Sequence, residues 1–259
     1  MNPIGVVICN YNKKDFVLQC VQSVLESKEK NFDIYVVDNA SSDGSAEALK
    51  KAYGNRITVI ENKENLGGSG GFNTGLRIVR DKGYSYFMCL DDDAAVDENA
   101  LSVLYHYMEE HTDTGMAGCR VYHTQMPDYI QQSGLLIDFD NCTAKTIGAD
   151  MPEDGSLPDV IECDTVATCA VMVRADTVKQ KGVGIMPEDN FIYWDDMEWG
   201  YRIKLAGYRV VTLAEAKALH QMGANTKKEN TFINYYMWRN RTNFFMRFTP
   251  EAQMEAMSV

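Results

Sequence analysis

The sequence contains no uninterrupted apolar run of eighteen residues, so no membrane-spanning helix is expected. Its opening, MNPIGVVICNYN, lacks the basic flank and cleavage site of a secretory signal. No Cys-x-x-Cys pair occurs among the seven cysteines, an odd number, which argues against a zinc site or a disulfide framework and for a reducing cytoplasm. Positive charge is scarce: 25 Lys and Arg against 37 Asp and Glu leave a net charge of −12. A nucleic-acid partner is therefore not expected without a local basic patch. Repeats, low-complexity stretches and linkers are also missing. What remains is ordinary globular composition, 45% hydrophobic and 24% charged over 259 residues, and the expectation is a single continuous domain.

The first hundred residues alternate strand and helix signals. Apolar runs at 4–10, 32–38, 56–61 and 84–90 read as strands, and amphipathic stretches at 13–28, 41–53 and 70–83 read as helices. Such alternation predicts a mostly parallel sheet, in which ligands bind at the carboxyl ends of the strands. The second half is less regular. Helices are expected at 96–111, 196–208 and 231–248, and strands at 116–122, 133–139, 165–175 and 209–214.

Acidic residues gather where the pattern expects ligands. In YFMCLDDDAAV, Asp91, Asp92 and Asp93 follow a buried strand. Two unit charges 4 Å apart repel by about 1 kcal/mol in water and about 4 kcal/mol in a protein-like medium. Either open solvent or a cation has to offset that. Alternation along an extended chain lets Asp91 and Asp93 share a face, and paired carboxylates suit Mg²⁺ or Mn²⁺. An isolated triple aspartate would read as a solvated turn, but the position after the fourth strand favours a metal. The stretch ENLGGSGGFNTG (64–75) has five glycines within nine residues at the start of a helix. It fits neither a Walker loop nor a dinucleotide fingerprint. It reads as a surface turn or as backbone against which a ligand lies. A second acidic pair, Asp195 and Asp196, stands between Trp194 and Trp199. An ordinary helix start explains it equally well in isolation. A carboxylate beside an aromatic wall also suits general-base chemistry on a sugar hydroxyl. His220, just past the last strand, is placed to complete a metal shell. Arg239, Arg241 and Arg247 lie in a final aromatic helix, with one or two expected to turn inward to phosphate.

In order along the chain, VVICNYN (6–12), VVDNASSDGS (36–45), ENLGGSGGFNTGL (64–76), LDDDA (90–94), YWDDMEWGYRIKLAGYRV (193–210) and LHQ (219–221) resemble the inverting glycosyltransferases of family 2. The glycine-rich loop, triple Asp, Trp-Asp-Asp, later His and Arg-Asn-Arg look most like the galactofuranosyltransferase branch. Known galactofuranosyl polymerases of this type are much larger, with added domains at both ends.

The resemblance implies an α/β GT-A fold, a Rossmann-like nucleotide-binding arrangement whose mixed central sheet is flanked by helices. It divides the chain into a nucleotide-sugar half (1–96), an acceptor and catalytic half (97–224) and a C-terminal helical segment (225–259). It implies Asn10, Tyr11, Asp38, Asn65, Gly67 and Asp92 as donor contacts, and Asp91, Asp93 and His220 as ligands to Mn²⁺ or Mg²⁺. Asp196 would be the general base with Asp195 beside it, and Trp194 an acceptor-sugar platform. The implied reaction moves a sugar from a nucleotide donor, UDP-galactofuranose first, to a glycan or lipid-linked acceptor in cell-surface polysaccharide synthesis. Peripheral contact with the inner face of the plasma membrane goes with such an acceptor. A rhamnosyltransferase using dTDP-rhamnose shares the frame. A sugar nucleotidylyltransferase would need a glycine- and Arg/Lys-rich loop after the first strand, where NYNKKD has no glycine. A non-catalytic carbohydrate-binding homologue would have lost the acidic groups.

Overall fold

The computed structural model describes residues 2–221 and 231–249. The expected boundary at 224/225 lies outside the described residues. Strand β1 (Ile4–Asn10) leads through helix α1 (Lys14–Glu26) to β2 (Phe32–Asp38), and α2 (Ser45–Tyr53) leads to β3 (Thr58–Glu61). Helix α3 (Gly67–Lys82) returns to β4 (Tyr86–Asp91), which a turn joins to the short β5 (Ala94–Val96). Helix α4 (Ala100–Glu110) precedes β6 (Thr114–His123) and β7 (Met126–Gln132). The short strands β8 (Leu135–Asp138), β9 (Thr143–Thr146), β10 (Met151–Pro152) and β11 (Val160–Glu162) come next. Then follow β12 (Ala170–Arg174), α5 (Asp195–Leu205), β13 (Arg209–His220) and α6 (Thr231–Phe248).

Strands β3, β2, β1 and β4 are parallel neighbours, as the strand–helix alternation predicts. Beyond β4 the sheet changes character: β12 runs antiparallel to both β4 and β6. Strand β13 lies parallel to β6 and antiparallel to β5 and β11. Strands β8 and β9 form a separate hairpin. Because side chains alternate along a strand, β1 serves two cores. Ile4, Val6 and Ile8 pack with Val17, Val21 and Val24 of α1 and Leu101 and Leu104 of α4. Val7 faces the other way, towards Leu76 and Val79 of α3 and Trp199 and Ile203 of α5. Each such side chain, fully buried, contributes about 1.5–3 kcal/mol.

Several expectations shift in detail. The helix read over 96–111 splits into β5 and α4 because Asp97 turns the chain: its Oδ1 accepts the Asn99 N–H (2.9 Å) and its carbonyl the Ala100 N–H (3.0 Å). The strand read over 165–175 begins only at Ala170, because Thr165 donates its hydroxyl to the Asp196 carbonyl (2.8 Å) and the chain there bends around a cleft. Strand β13 extends six residues past the expected Thr-Leu-Ala end, to His220. In that extension Ala216 and Ala218 are buried between exposed Glu215 and Lys217, an alternation too weakly apolar to read as a strand. Strands β7 and β9–β11 were not anticipated; they are short, or mostly exposed and polar.

Gly75 shows how tightly α3 meets the sheet. A Cβ built there would lie 2.4 Å from Val7 Cγ1, and Val7 is fully buried. Gly75→Val should therefore destabilise the fold by about 1–3 kcal/mol through overpacking. That exceeds the few tenths that valine gains over glycine in a helix. Urea unfolding should show a lower midpoint at an unchanged slope.

Candidate active site

The three aspartates form the turn between β4 and β5, at the carboxyl end of the parallel strands. Two cationic groups meet them. Lys13, just before α1, donates to Asp92 Oδ1 (3.1 Å) and Asp93 Oδ2 (2.7 Å). The Tyr11 backbone N–H donates to Asp92 Oδ2 (3.0 Å). From the other side His220 Nε2 lies 3.2 Å from Asp93 Oδ1 and 3.7 Å from Asp91 Oδ2. The β5–β13 pairing sets this contact by placing His220 opposite Ala94. Burial raises the pKa of Asp92 to about 6, with Lys13 opposing it. Burial also raises Asp91, against the pull of His220. Asp93 moves down instead: burial is outweighed by His220 and Lys13 together. The His220 pKa is raised, since Asp93 and Asp91 overcome the effect of burial.

Asp91, Asp93 and His220 each offer a ligand atom, all within 4.8 Å of one another. Asp93 Oδ1 is buried without a hydrogen-bond partner. Two hard carboxylates, one with a buried oxygen left without a hydrogen bond, and an imidazole form a donor set that fits Mn²⁺ or Mg²⁺. Sequence reasoning missed what orients the ring. Gln131, at the end of β7, accepts from His220 Nδ1 (2.7 Å) and donates to the His220 carbonyl (3.2 Å). Nδ1 thereby holds a proton, and Nε2 is turned to the carboxylates.

The other donor-side residues fall into two groups. Tyr11, Asn65 and Gly67 line the cleft together with Asp92. Asn10 and Asp38 are buried side by side in the wall behind it: Asn10 Nδ2 donates to Asp38 Oδ1 (2.8 Å), and Asp38 Oδ2 accepts the Ser41 N–H (3.0 Å). Asn39, which the sequence did not single out, braces the glycine-rich stretch. It donates to the Gly67 carbonyl (2.9 Å) and accepts the Leu66 N–H (3.1 Å). Most of those glycines face protein. Gly67, at φ +74°, lies where a Cβ would sit 2.2 Å from the Phe191 carbonyl oxygen.

Phe191 opens the second acidic segment. Phe191, Tyr193 and Trp194 all have left-handed backbones, with φ of 63–65°. For such residues that conformation costs roughly 1–2 kcal/mol each. It turns the chain so that Asp195 and Asp196 begin α5 facing the cleft. Trp194 lines the cleft but is only 7% exposed, its ring packed on Phe244 and Phe245 of α6. Asp195 is buried and Asp196 half-buried, and the Met197 N–H donates to Asp196 Oδ1 (2.7 Å). Among the described residues no cation pairs with either one. Burial drives the pKa of both upward; the charge of Asp196 adds to the rise in Asp195, and the Met197 N–H works against it in Asp196.

The three arginines of α6 bind protein. Arg239 donates to the Asp189 and Asn190 carbonyls, Arg241 donates to the Cys142 carbonyl (2.6 Å), and Arg247 pairs with Glu198 and Asp189. Of these, Arg241 also lines the cleft. The cleft, about 1150 Å³, is shared by Asp91–Asp93, His220, Asp195 and Asp196.

A nucleotide-binding-type parallel half, an antiparallel second half and acidic groups from both on one cleft define a GT-A glycosyltransferase architecture. The sequence profile described as Glycosyl transferase family 2 matches residues 5–169, more than half of the chain, and the chain belongs to that family. The teichoic acid poly(glycerol phosphate) polymerase of Staphylococcus epidermidis is 27% identical over 146 residues, 54% of this chain and 19% of that one. The UDP-Glc:alpha-D-GlcNAc-diphosphoundecaprenol beta-1,3-glucosyltransferase WfaP of Escherichia coli is 30% identical over 109 residues, 42% of each chain. The chain thus spans less than half the length of either relative. Among solved structures, the mannosyltransferase PcManGT from Pyrobaculum calidifontis in complex with GDP-Man and Mn²⁺ superposes with a TM-score of 0.64 at 16% identity. The match covers 86% of this chain and 58% of that one, and the likeness is one of fold.

The orientation of His220 by Gln131 is testable. Gln131→Leu keeps the bulk but removes the acceptor on Nδ1. Mn²⁺ affinity, measured by calorimetry, should fall by about 10- to 100-fold, the usual effect of removing such a partner. The apo melting temperature should change little.

Proposed function

We propose that the protein transfers a sugar, with inversion, from a nucleotide donor to a hydroxyl of a glycan or lipid-linked acceptor in cell-surface polysaccharide synthesis. UDP-galactofuranose is the preferred donor in this reading. The observation that carries the reaction type is one cleft with two acidic clusters in opposite electrostatic states. Asp91–Asp93 are met by Lys13 and His220, whereas among the described residues no cation pairs with Asp195 or Asp196. The relative acting on a diphosphoundecaprenol acceptor with UDP-Glc, and the fold neighbour bound to GDP-Man and Mn²⁺, support a nucleotide-sugar donor and a divalent ion. The galactofuranosyl assignment rests on the Gly-Gly-Ser-Gly-Gly-Phe, Asp-Asp-Asp and Trp-Asp-Asp combination. Among the described residues no helix is long and apolar enough to cross a membrane. Contact with a lipid-borne acceptor would fall to α6, where Phe232 lines the cleft and Tyr235 and Trp238 are exposed.

In this mechanism Asp91, Asp93 and His220 would hold a divalent cation, which would supply Lewis-acid stabilisation of the departing diphosphate. Lys13 adds positive charge on the same side. Tyr11, Asn65 and Gly67 form the donor wall, with Asn10 and Asp38 fixed behind it. Asp196, the more exposed of its pair, accepts the proton of the acceptor hydroxyl. The hydroxyl oxygen forms a bond to the anomeric carbon as the bond to the diphosphate oxygen breaks. A single displacement inverts that carbon, and the nucleoside diphosphate leaves with the bonding electrons. Asp195 stands beside Asp196, and burial keeps the proton affinity of both high.

Calorimetry of UDP with and without Mn²⁺ tests the donor side. Affinity should depend on Mn²⁺ in the wild type and lose that dependence in Asp91→Asn; equal UDP affinity in excess chelator would remove the metal from the proposal. A thermal-shift screen of UDP and dTDP sugars with Mn²⁺ should rank UDP-galactofuranose first, and a dTDP-rhamnose preference would replace the donor.

The base makes its own prediction. Asp196→Asn should lower transfer by about 100- to 10,000-fold at nearly unchanged UDP affinity. In the wild type a base must be deprotonated to act, so kcat/KM should fall as pH drops through its pKa. With Asp195 raised to about 7 and Asp196 to about 6, the acidic limb should lie near pH 6–7. An unperturbed carboxylate would put it near pH 4. A limb at that lower pH would show that the base lies elsewhere.

A further inference from the structure

The arginines of the Arg-Asn-Arg run of α6 bind backbone carbonyls, and its central residue has no part in the chemistry proposed above. Asn240 is nonetheless only 1% exposed, an expensive place for an amide unless its hydrogens are used. Its Nδ2 points at three backbone carbonyls, those of Asn190, Ile192 and Tyr193, each at 2.8 Å. Arg239 donates beside it to the carbonyls of Asp189 (2.6 Å) and Asn190 (2.9 Å). The segment they grip carries the left-handed Phe191, Tyr193 and Trp194 and runs directly into Asp195 and Asp196. Asn190 adds an inner tie, its Nδ2 lying 3.3 Å from the Trp194 carbonyl and 3.4 Å from Glu198 Oε2. Left-handed backbone at three non-glycine residues persists only where the surroundings hold it.

We propose that Asn240 is a positioning residue for transfer: it latches the 190–193 backbone to α6 and so fixes where Asp195 and Asp196 stand in the cleft. The inference rests on the reading of that aspartate pair as the proton acceptor. Asn240 bonds to neither the acidic turn nor the donor wall, so its effect falls first on the acceptor side. Misplacing a catalytic group by about 1 Å can cost on the order of 100-fold in rate. A latch acting through backbone carbonyls therefore has ample leverage on kcat and much less on nucleotide affinity.

Two variants test it on the full chain. Asn240→Asp is isosteric but has no Nδ2 hydrogens and sets a carboxylate against three carbonyls. Arg239→Met removes the bonds to the Asp189 and Asn190 carbonyls and the one to Asn240 Oδ1 (2.8 Å) from a residue that is not fully buried, and remains informative if the first variant folds poorly. Three quantities are read for each: kcat and KM for transfer, UDP affinity with Mn²⁺ by calorimetry, and amide hydrogen exchange over 190–197. The expected result is a 10- to 100-fold loss of kcat in Asn240→Asp and a smaller loss in Arg239→Met. UDP affinity should stay within about twofold, and exchange should quicken within 190–197 while the amides of β1 and β4 stay protected. Unchanged exchange in that segment, or a kcat loss matched by loss of UDP affinity and of protection throughout the sheet, would overturn the latch. Asp195→Asn and Asp196→Asn run alongside separate the two claims. If both aspartate variants keep wild-type rates the base reading fails, and the exchange data still decide whether Asn240 holds the loop.

Discussion

Five carboxylates, those of Asp91, Asp92, Asp93, Asp195 and Asp196, open on one cleft, and their mutual repulsion is the constraint that the surrounding structure answers. The answer differs between the two groups. Around the β4–β5 turn the protein supplies cations: Lys13 from the start of α1 and His220 from the end of β13, with the Tyr11 amide adding a donor. Around the start of α5 the described residues supply none, and the cost appears as a raised proton affinity in both aspartates. The fold decides which group is which. The parallel half brings β1 and β4 side by side, so Lys13 and the acidic turn emerge together at one sheet edge. The antiparallel half threads β13 past β5, so His220 arrives from the opposite side.

Legibility in the sequence follows the strength of the local signal. The βαβ series could be read because β1, β2 and β4 are buried on both faces and therefore nearly continuous in apolar residues. The acidic pairs could be read because like charges at strand and helix ends are conspicuous. His220 was placed in the right neighbourhood although the strand carrying it was cut short, since Ala216 and Ala218 bury little area and leave no hydrophobic stripe. What stayed hidden came from long-range pairing. Gln131 and Asn240 are single amides in unremarkable sequence, and their partners lie 89 and about 50 positions away. Nothing local marks an amide as a brace; only its burial against carbonyls or a ring nitrogen does.

The glycine-rich stretch illustrates a signal that was visible but ambiguous. Five glycines in nine residues can mean a cradle for a ligand or a helix pressed against its own sheet. Gly71 and Gly75 answer to the second: Cβ atoms there would strike Cys9 Sγ and Val7 Cγ1, both at 2.4 Å. Gly67 joins the two, because it lines the cleft while its backbone lies against the Phe191 carbonyl. The donor wall and the loop ahead of Asp195 are thus in direct contact, with the Ser69 N–H donating to that same carbonyl (3.3 Å).

That contact gives the aspartate loop a brace on each side. The α3 start holds Phe191 from the sheet side, and Asn240 and Arg239 hold its neighbours from α6. Aromatic packing repeats the pattern, with Phe191 stacked on Tyr236 at 5.1 Å and Trp194 set between Phe244 and Phe245. A loop with three left-handed residues would relax if only one side held it, and relaxation would admit water to the aspartates and lower their proton affinity. Rigidity of the loop and the raised proton affinity of the pair are therefore one property. A carboxylate without a counter-cation stays desolvated only as long as the backbone before it cannot move.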